Sequence, residues 1–283
     1  MSLKELALKT IEAGAWTFEE LAPRFRSALM GRILNAQEGQ VELLESRSLM
    51  EISLRAYEPS AMSSWQGFSG NQKFLKRAER TDELAIQALI ADKVSSGGTP
   101  ASFCPEEIAL ISDAESFLRA YSPTTSQLKE RWVPSFMKLA NVPFRSGSHP
   151  HVFGCIFLGE RISEFSAANL ATSIVHEMAH QELFLFNLLD RLVESNADFK
   201  LAHAPFQGTK RPTIGRLHSF YALFRMVEFE RSAGLPTSRH ADLLQETAET
   251  FEPNDLTEYG QRLASAVVKR IKAGVELRNA VNL

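Results

Sequence analysis

Residues 163–195 read SEFSAANLATSIVHEMAHQELFLFNLLDRLVES, the longest apolar stretch with helical spacing in the chain. Leu170, Ile174, Val175, Leu183 and Phe184 would bury most of the surface of a helix here. Within it, His176 and His180 are one helical turn apart, so both imidazoles project from one face, with Glu177 beside the first. A buried imidazole needs a partner for each nitrogen, and a metal ion supplies one. The fold and the chemistry both start from this helix.

To either side the pattern stays helical. LKELALKTIEAGAW, FEELAPRFRSALMGRIL and VELLESRSLMEISLRAY give two or three amphipathic helices over residues 2–56. A Ser- and Gly-rich loop with Trp65, Phe68 and Phe74 follows, and a helix at 81–94 ends at SSGGTP. Further helices are expected over 104–121 and 124–140. The segment 141–160, NVPFRSGSHPHVFGCIFLGE, gathers β-branched and aromatic residues around turn residues and predicts a short hairpin. TIGRLHSFYALFRMVEFERSAG, ending at Gly234, and stretches around 238–250 and 255–278 complete the helices. The expected fold is mainly α, a helical domain with a small β-hairpin or sheet next to the HExxH helix. The Gly-Pro break at 96–100 divides it into an N-terminal helical region, 1–100, open to a role in peptide recognition, and a metal-binding catalytic region, 101–283.

The chain has 283 residues, 44% hydrophobic and 23% charged, with a net charge of −3. That is enough for a substantial core and too little charge to favour nucleic acid or an anionic membrane as a partner. Its two cysteines, Cys104 and Cys155, form no CxxC pair, and no segment has the apolar length of a signal peptide or a membrane span. A cytoplasmic protein is expected, of unspecified oligomeric state.

A metal site needs a further ligand. The metzincin pattern fails, because Leu183 and Phe186 stand where its glycine and third histidine belong. Glu194 would lie about 21 Å beyond His180 if the helix continued, and FLFNLLDRL offers no Gly or Pro to turn the chain back. His218 lies in an apolar helix of its own, after a connection able to reverse direction. His149, His151, His203 and His240 are weaker candidates. Spacing alone leaves open Zn(II), with Glu177 as the general base of a metallopeptidase, and other metals.

Together YSPTTSQLKERWVPSFMKL, SGSHPHVFGCIFLGE, VHEMAHQEL and KRPTIGRLHSFYALFRMVEF resemble the HExxH-motif proteins encoded beside ribosomally made peptide natural products (RiPPs). These are 2-oxoglutarate-dependent peptide β-hydroxylases. The resemblance covers about residues 105–232, and its most specific element pairs HExxH with a later RPxxGxxH. It implies a non-heme iron dioxygenase, with Fe(II) held by His176, His180 and His218 and with 2-oxoglutarate and O2 as co-substrates. The reaction it implies is hydroxylation of a side-chain β-carbon in a precursor peptide. Arg211, in the RP element, and Arg225, two turns past His218, are the cations expected for the distal carboxylate of 2-oxoglutarate. In such an oxygenase Glu177 need not be a base and can instead orient ligands, hold water or contact substrate. A third expectation, from another class, is a non-enzymatic helical binding protein whose HExxH is structural.

Overall fold

The computed structural model describes residues 1–36, 52–53, 99–252 and 254–281. The expected helices at 41–57 and 81–94 and the aromatic loop between them fall almost wholly outside these residues, as does most of the break at 96–100. The protein is mainly helical with small sheets, the fold class the hydrophobic periodicity predicts. The described chain forms two compact units, residues 22–181 and residues 1–21 with 182–283.

In residues 22–181, α3 (Pro105–Tyr121) and α4 (Pro123–Trp132) precede a four-stranded sheet. Pro105 opens α3, and the Glu107 carboxylate accepts a hydrogen bond from the Cys104 N–H (2.9 Å), satisfying a donor the helix leaves open. Cys104 is exposed and Cys155 buried, and no disulfide joins them. The sheet order is β1 (Thr99–Ala101), β2 (Ser135–Ala140), β4 (Cys155–Gly159), β3 (Ser146–Gly147), with β2 and β4 parallel and the outer pairs antiparallel. Every residue of β4 is buried, as its run of apolar side chains requires.

The expected helix over 124–140 is corrected here. It stops at Trp132, and SFMKLA becomes β2. Pro134 is the cause. It has no N–H to continue the helix and drives Val133 out of the helical region, to φ −131° and ψ 55°. The expected hairpin is present as β3 and β4, joined by a turn containing the 3-10 segment Pro150–Val152.

In the other unit, α1 (Leu3–Glu12) packs along α8 (Glu258–Val281), with ion pairs Arg262–Glu5 and Lys269–Glu12 on its rim. α6 (Thr213–Ser232) packs against α7 (Ser238–Ala248) and ends at Gly234, whose φ of +66° suits a residue without Cβ. A two-stranded ribbon, β5 (Ala202–Ala204) and β6 (Thr209–Arg211), leads into α6. α2 (Phe18–Ala36) and α5 (Ala167–Leu189), the HExxH helix, each carry residues of both units. No helix among the described residues is long and apolar enough to cross a membrane.

Candidate metal centre

α5 places its two histidines as the four-residue spacing demands. His176 Nε2 and His180 Nε2 are 2.9 Å apart, with the rings nearly perpendicular and 4.5 Å between centroids. Both side chains are half-buried, while Met178 and Ala179 between them are buried. Two ring nitrogens converging on one point fit a pair of ligands to a single ion.

Glu177 is buried and its Oε1 lies 3.9 Å from His176 Nε2. The Ser146 hydroxyl of β3 donates to Oε1 at 2.7 Å, while Oε2 is buried with no hydrogen-bond partner among the described residues. Burial pushes the carboxyl up to about 7, against the opposing pull of the Ser146 and Ser148 hydroxyls. The Ser148 hydroxyl is itself buried beside the carboxyl and makes no hydrogen bond of normal geometry among the described residues. A carboxylate oxygen left without a donor in this position is suited to a nearby cation, to a water molecule or to a substrate donor.

Gln181 fixes the helix against the sheet. Its carboxamide accepts from Gly154 N (2.7 Å) and donates to Cys155 O (3.0 Å), holding the start of β4 to α5 through one side chain.

The other predicted residues lie as follows. His218 is half-buried on α6, its ring 5.1 Å from that of Phe184. Among the described residues, no group of three or more His, Cys, Asp or Glu side chains that could hold a metal ion is assembled. The pair on α5 is the part of the expected ligand set whose nitrogens converge. Glu194 lies past the end of α5 at Leu189, in a segment tied to residues 255–257 through Glu194 N to Asp255 O and Thr257 N to Leu192 O. His149 is buried, His203 is exposed on β5, and His151 is in the 3-10 turn. His240 Nδ1 pairs with Glu230 Oε1 at 2.6 Å.

The two arginines differ. Arg211 is exposed at the end of β6, and no ion pair engages it among the described residues. Arg225 is buried, and all three of its nitrogens donate: Nε to Glu182 Oε2 (3.0 Å), Nη1 to Glu228 Oε2 (3.1 Å), and Nη2 to Ala15 O (2.8 Å) and Glu182 Oε1 (3.1 Å). Its guanidinium also lies 4.3 Å from the Trp16 ring. This arginine anchors the N-terminal segment to α5 and α6.

Ser146 and Ser148 carry a role that motif reading passes over. Their signal is present, since serines two apart on an extended segment project from the same face. Nothing in the sequence says which carboxylate that face meets.

No family model matches the chain, and no curated protein matches it.

Proposed function

We propose that this protein is an Fe(II)- and 2-oxoglutarate-dependent hydroxylase that modifies a side-chain β-carbon in a ribosomally made precursor peptide. The observation that carries the metal-dependent reading is the convergence of His176 and His180 at 2.9 Å beside the buried, half-satisfied carboxylate of Glu177. The choice of iron and 2-oxoglutarate rests on the resemblance of HExxH plus RPxxGxxH.

On this reading His176 and His180 hold the metal and His218 completes the ligand set by correspondence with the RPxxGxxH segment. Bound iron with 2-oxoglutarate and O2 supplies the oxidising power to insert one oxygen atom into a C–H bond. Glu177, fixed through Ser146, presents Oε2 to a water molecule or substrate donor. Arg211 is the cation for the distal carboxylate of 2-oxoglutarate, its planar fork suited to two parallel hydrogen bonds. Arg225 keeps its structural partners.

The test is turnover of the anaerobically iron-loaded protein with its precursor peptide after admitting O2. Succinate formed in step with a 16 Da gain on the peptide is expected, and His176→Ala abolishes both. Absence of coupled turnover overturns the proposal.

A second reading, a zinc peptidase, is favoured by one observation: a carboxyl held near 7 beside a histidine pair is tuned for general-base work at neutral pH. It requires that Zn(II) restore peptide cleavage after chelation, that Glu177→Gln abolish cleavage, and that 2-oxoglutarate have no effect.

A further inference from the structure

Among the described residues the four-stranded sheet ends on β3, and the ladder fixes which backbone groups of β3 face outward. Ser146 lies opposite Leu158 and Gly147 opposite Phe157, and Gly159 N donates to Arg145 O at 2.9 Å. In an antiparallel ladder that bond marks Ser146 and Leu158 as a non-hydrogen-bonded pair. The N–H and C=O of Ser146 therefore point away from β4, and neither is hydrogen-bonded among the described residues. Such an edge can accept one more strand.

The same residue touches the chemistry. The Ser146 side chain holds Glu177 Oε1 at 2.7 Å, and Glu177 lies beside His176. Next to this contact lie Glu177 Oε2, which has no hydrogen-bond partner among the described residues, and the buried hydroxyl of Ser148. An open backbone pair and an unsatisfied carboxylate oxygen thus lie together at the HExxH helix, and a polar chain in extended form offers partners for both kinds of group.

We propose that the outer edge of β3 is the rail on which the substrate docks, as an extended peptide segment added to the sheet. The inference rests on the reading of the substrate as a peptide. One peptide residue, opposite Ser146, exchanges both backbone hydrogen bonds with it, in the manner of strand addition. The added strand lies about 4.8 Å from β3, and its side chains alternate between the two faces of the sheet. The partner is thereby defined by backbone chemistry, as a segment free of proline and of N-alkylation at the residue opposite Ser146.

The probe is a displayed library of random dodecapeptides, selected on the full chain loaded with Fe(II) under argon, with the selected peptides resynthesised. Methylating backbone nitrogens one at a time should weaken binding at least about tenfold at the residue opposite Ser146 and little at its neighbours, as loss of one buried hydrogen bond implies. Bound peptide should also slow hydrogen exchange at the Ser146 amide. Ser146→Pro, which removes that N–H, should lose at least about tenfold.

Three results overturn the rail: no peptide selected, a flat methylation scan with fast exchange at Ser146, or concentration-dependent protection of that amide without peptide, which assigns the edge to a second copy of the chain. Succinate measured after 2-oxoglutarate and O2 are admitted to the same samples separates the two proposals. Edge binding without succinate removes the hydroxylase reading and leaves the rail, whereas succinate with a flat scan removes only the rail.

Discussion

Glu177 and Glu182 are five residues apart on α5, both buried, and they have opposite surroundings. Glu182 is saturated: Oε1 accepts from Thr17 N (2.6 Å), Thr17 Oγ1 (2.9 Å) and Arg225, and Oε2 accepts from Tyr221 OH (2.7 Å) and Arg225. Tyr221 keeps its proton for that bond, since burial, with Glu182 beside it, raises its phenol well above the usual range. Glu177 has one donor of normal length, and its other oxygen has no partner among the described residues. A buried charge fully paired and hydrogen-bonded fixes structure, while one left short of partners stores a demand that a ligand can meet. One helix therefore carries an anchor and a poised group a little more than a turn apart.

The sharpest way to break this contrast is to unpair the anchor. Glu182→Ala leaves the buried Arg225 guanidinium without its main counter-charge and should cost about 3–5 kcal/mol in urea unfolding. The double replacement Glu182→Leu with Arg225→Met should recover much of that loss, because two apolar side chains need no pairing. If Glu182→Ala unfolds like the unaltered protein, the anchor assignment fails.

Glu177 should behave in the opposite sense in chelator-treated protein. Its carboxyl holds a proton up to about pH 7 when folded and only to about 4.5 ordinarily. Folding therefore takes up a proton between those values. Stability is full below about 4.5 and declines as pH rises through 7, by on the order of 2–3 kcal/mol at pH 8. Glu177→Gln should flatten that decline and stabilise the metal-free protein above pH 7, measured as unfolding free energy against pH. A smaller shift is expected from Ser146→Ala. Removing the one donor to Oε1 should move the midpoint of the decline to higher pH, and a midpoint that stays put would dissociate Ser146 from Glu177. The least effect belongs to the exposed ion pair of Lys4 with Asp190. Lys4→Ala should change stability by no more than about 1 kcal/mol.

This contrast also marks what could be read from the chain. The histidine pair was legible because i,i+4 spacing on a helix fixes a geometry with no help from the rest of the protein. Helical apolar spacing runs on over 124–140, yet Pro134 alone ends the helix and SFMKLA is a strand. The Glu182 anchor was not legible. Its partners lie 165 residues away at Thr17 and 43 at Arg225, and no local pattern encodes such a meeting. Arg225 shows the same limit, since its position two turns past His218 on α6 suggested a carboxylate ligand and the fold supplies a glutamate of its own.

The Cys104 and Cys155 thiols give the protein a practical property. These are the only two cysteines in the sequence, one exposed at the start of α3 and one enclosed in β4. A maleimide dye added to the native protein should therefore attach at one position, and a second equivalent should react only after denaturation. The unaltered chain thus carries a single-site attachment point for a fluorophore or a surface tether, and the count of reactive thiols doubles as a measure of how much of the β4 core has opened.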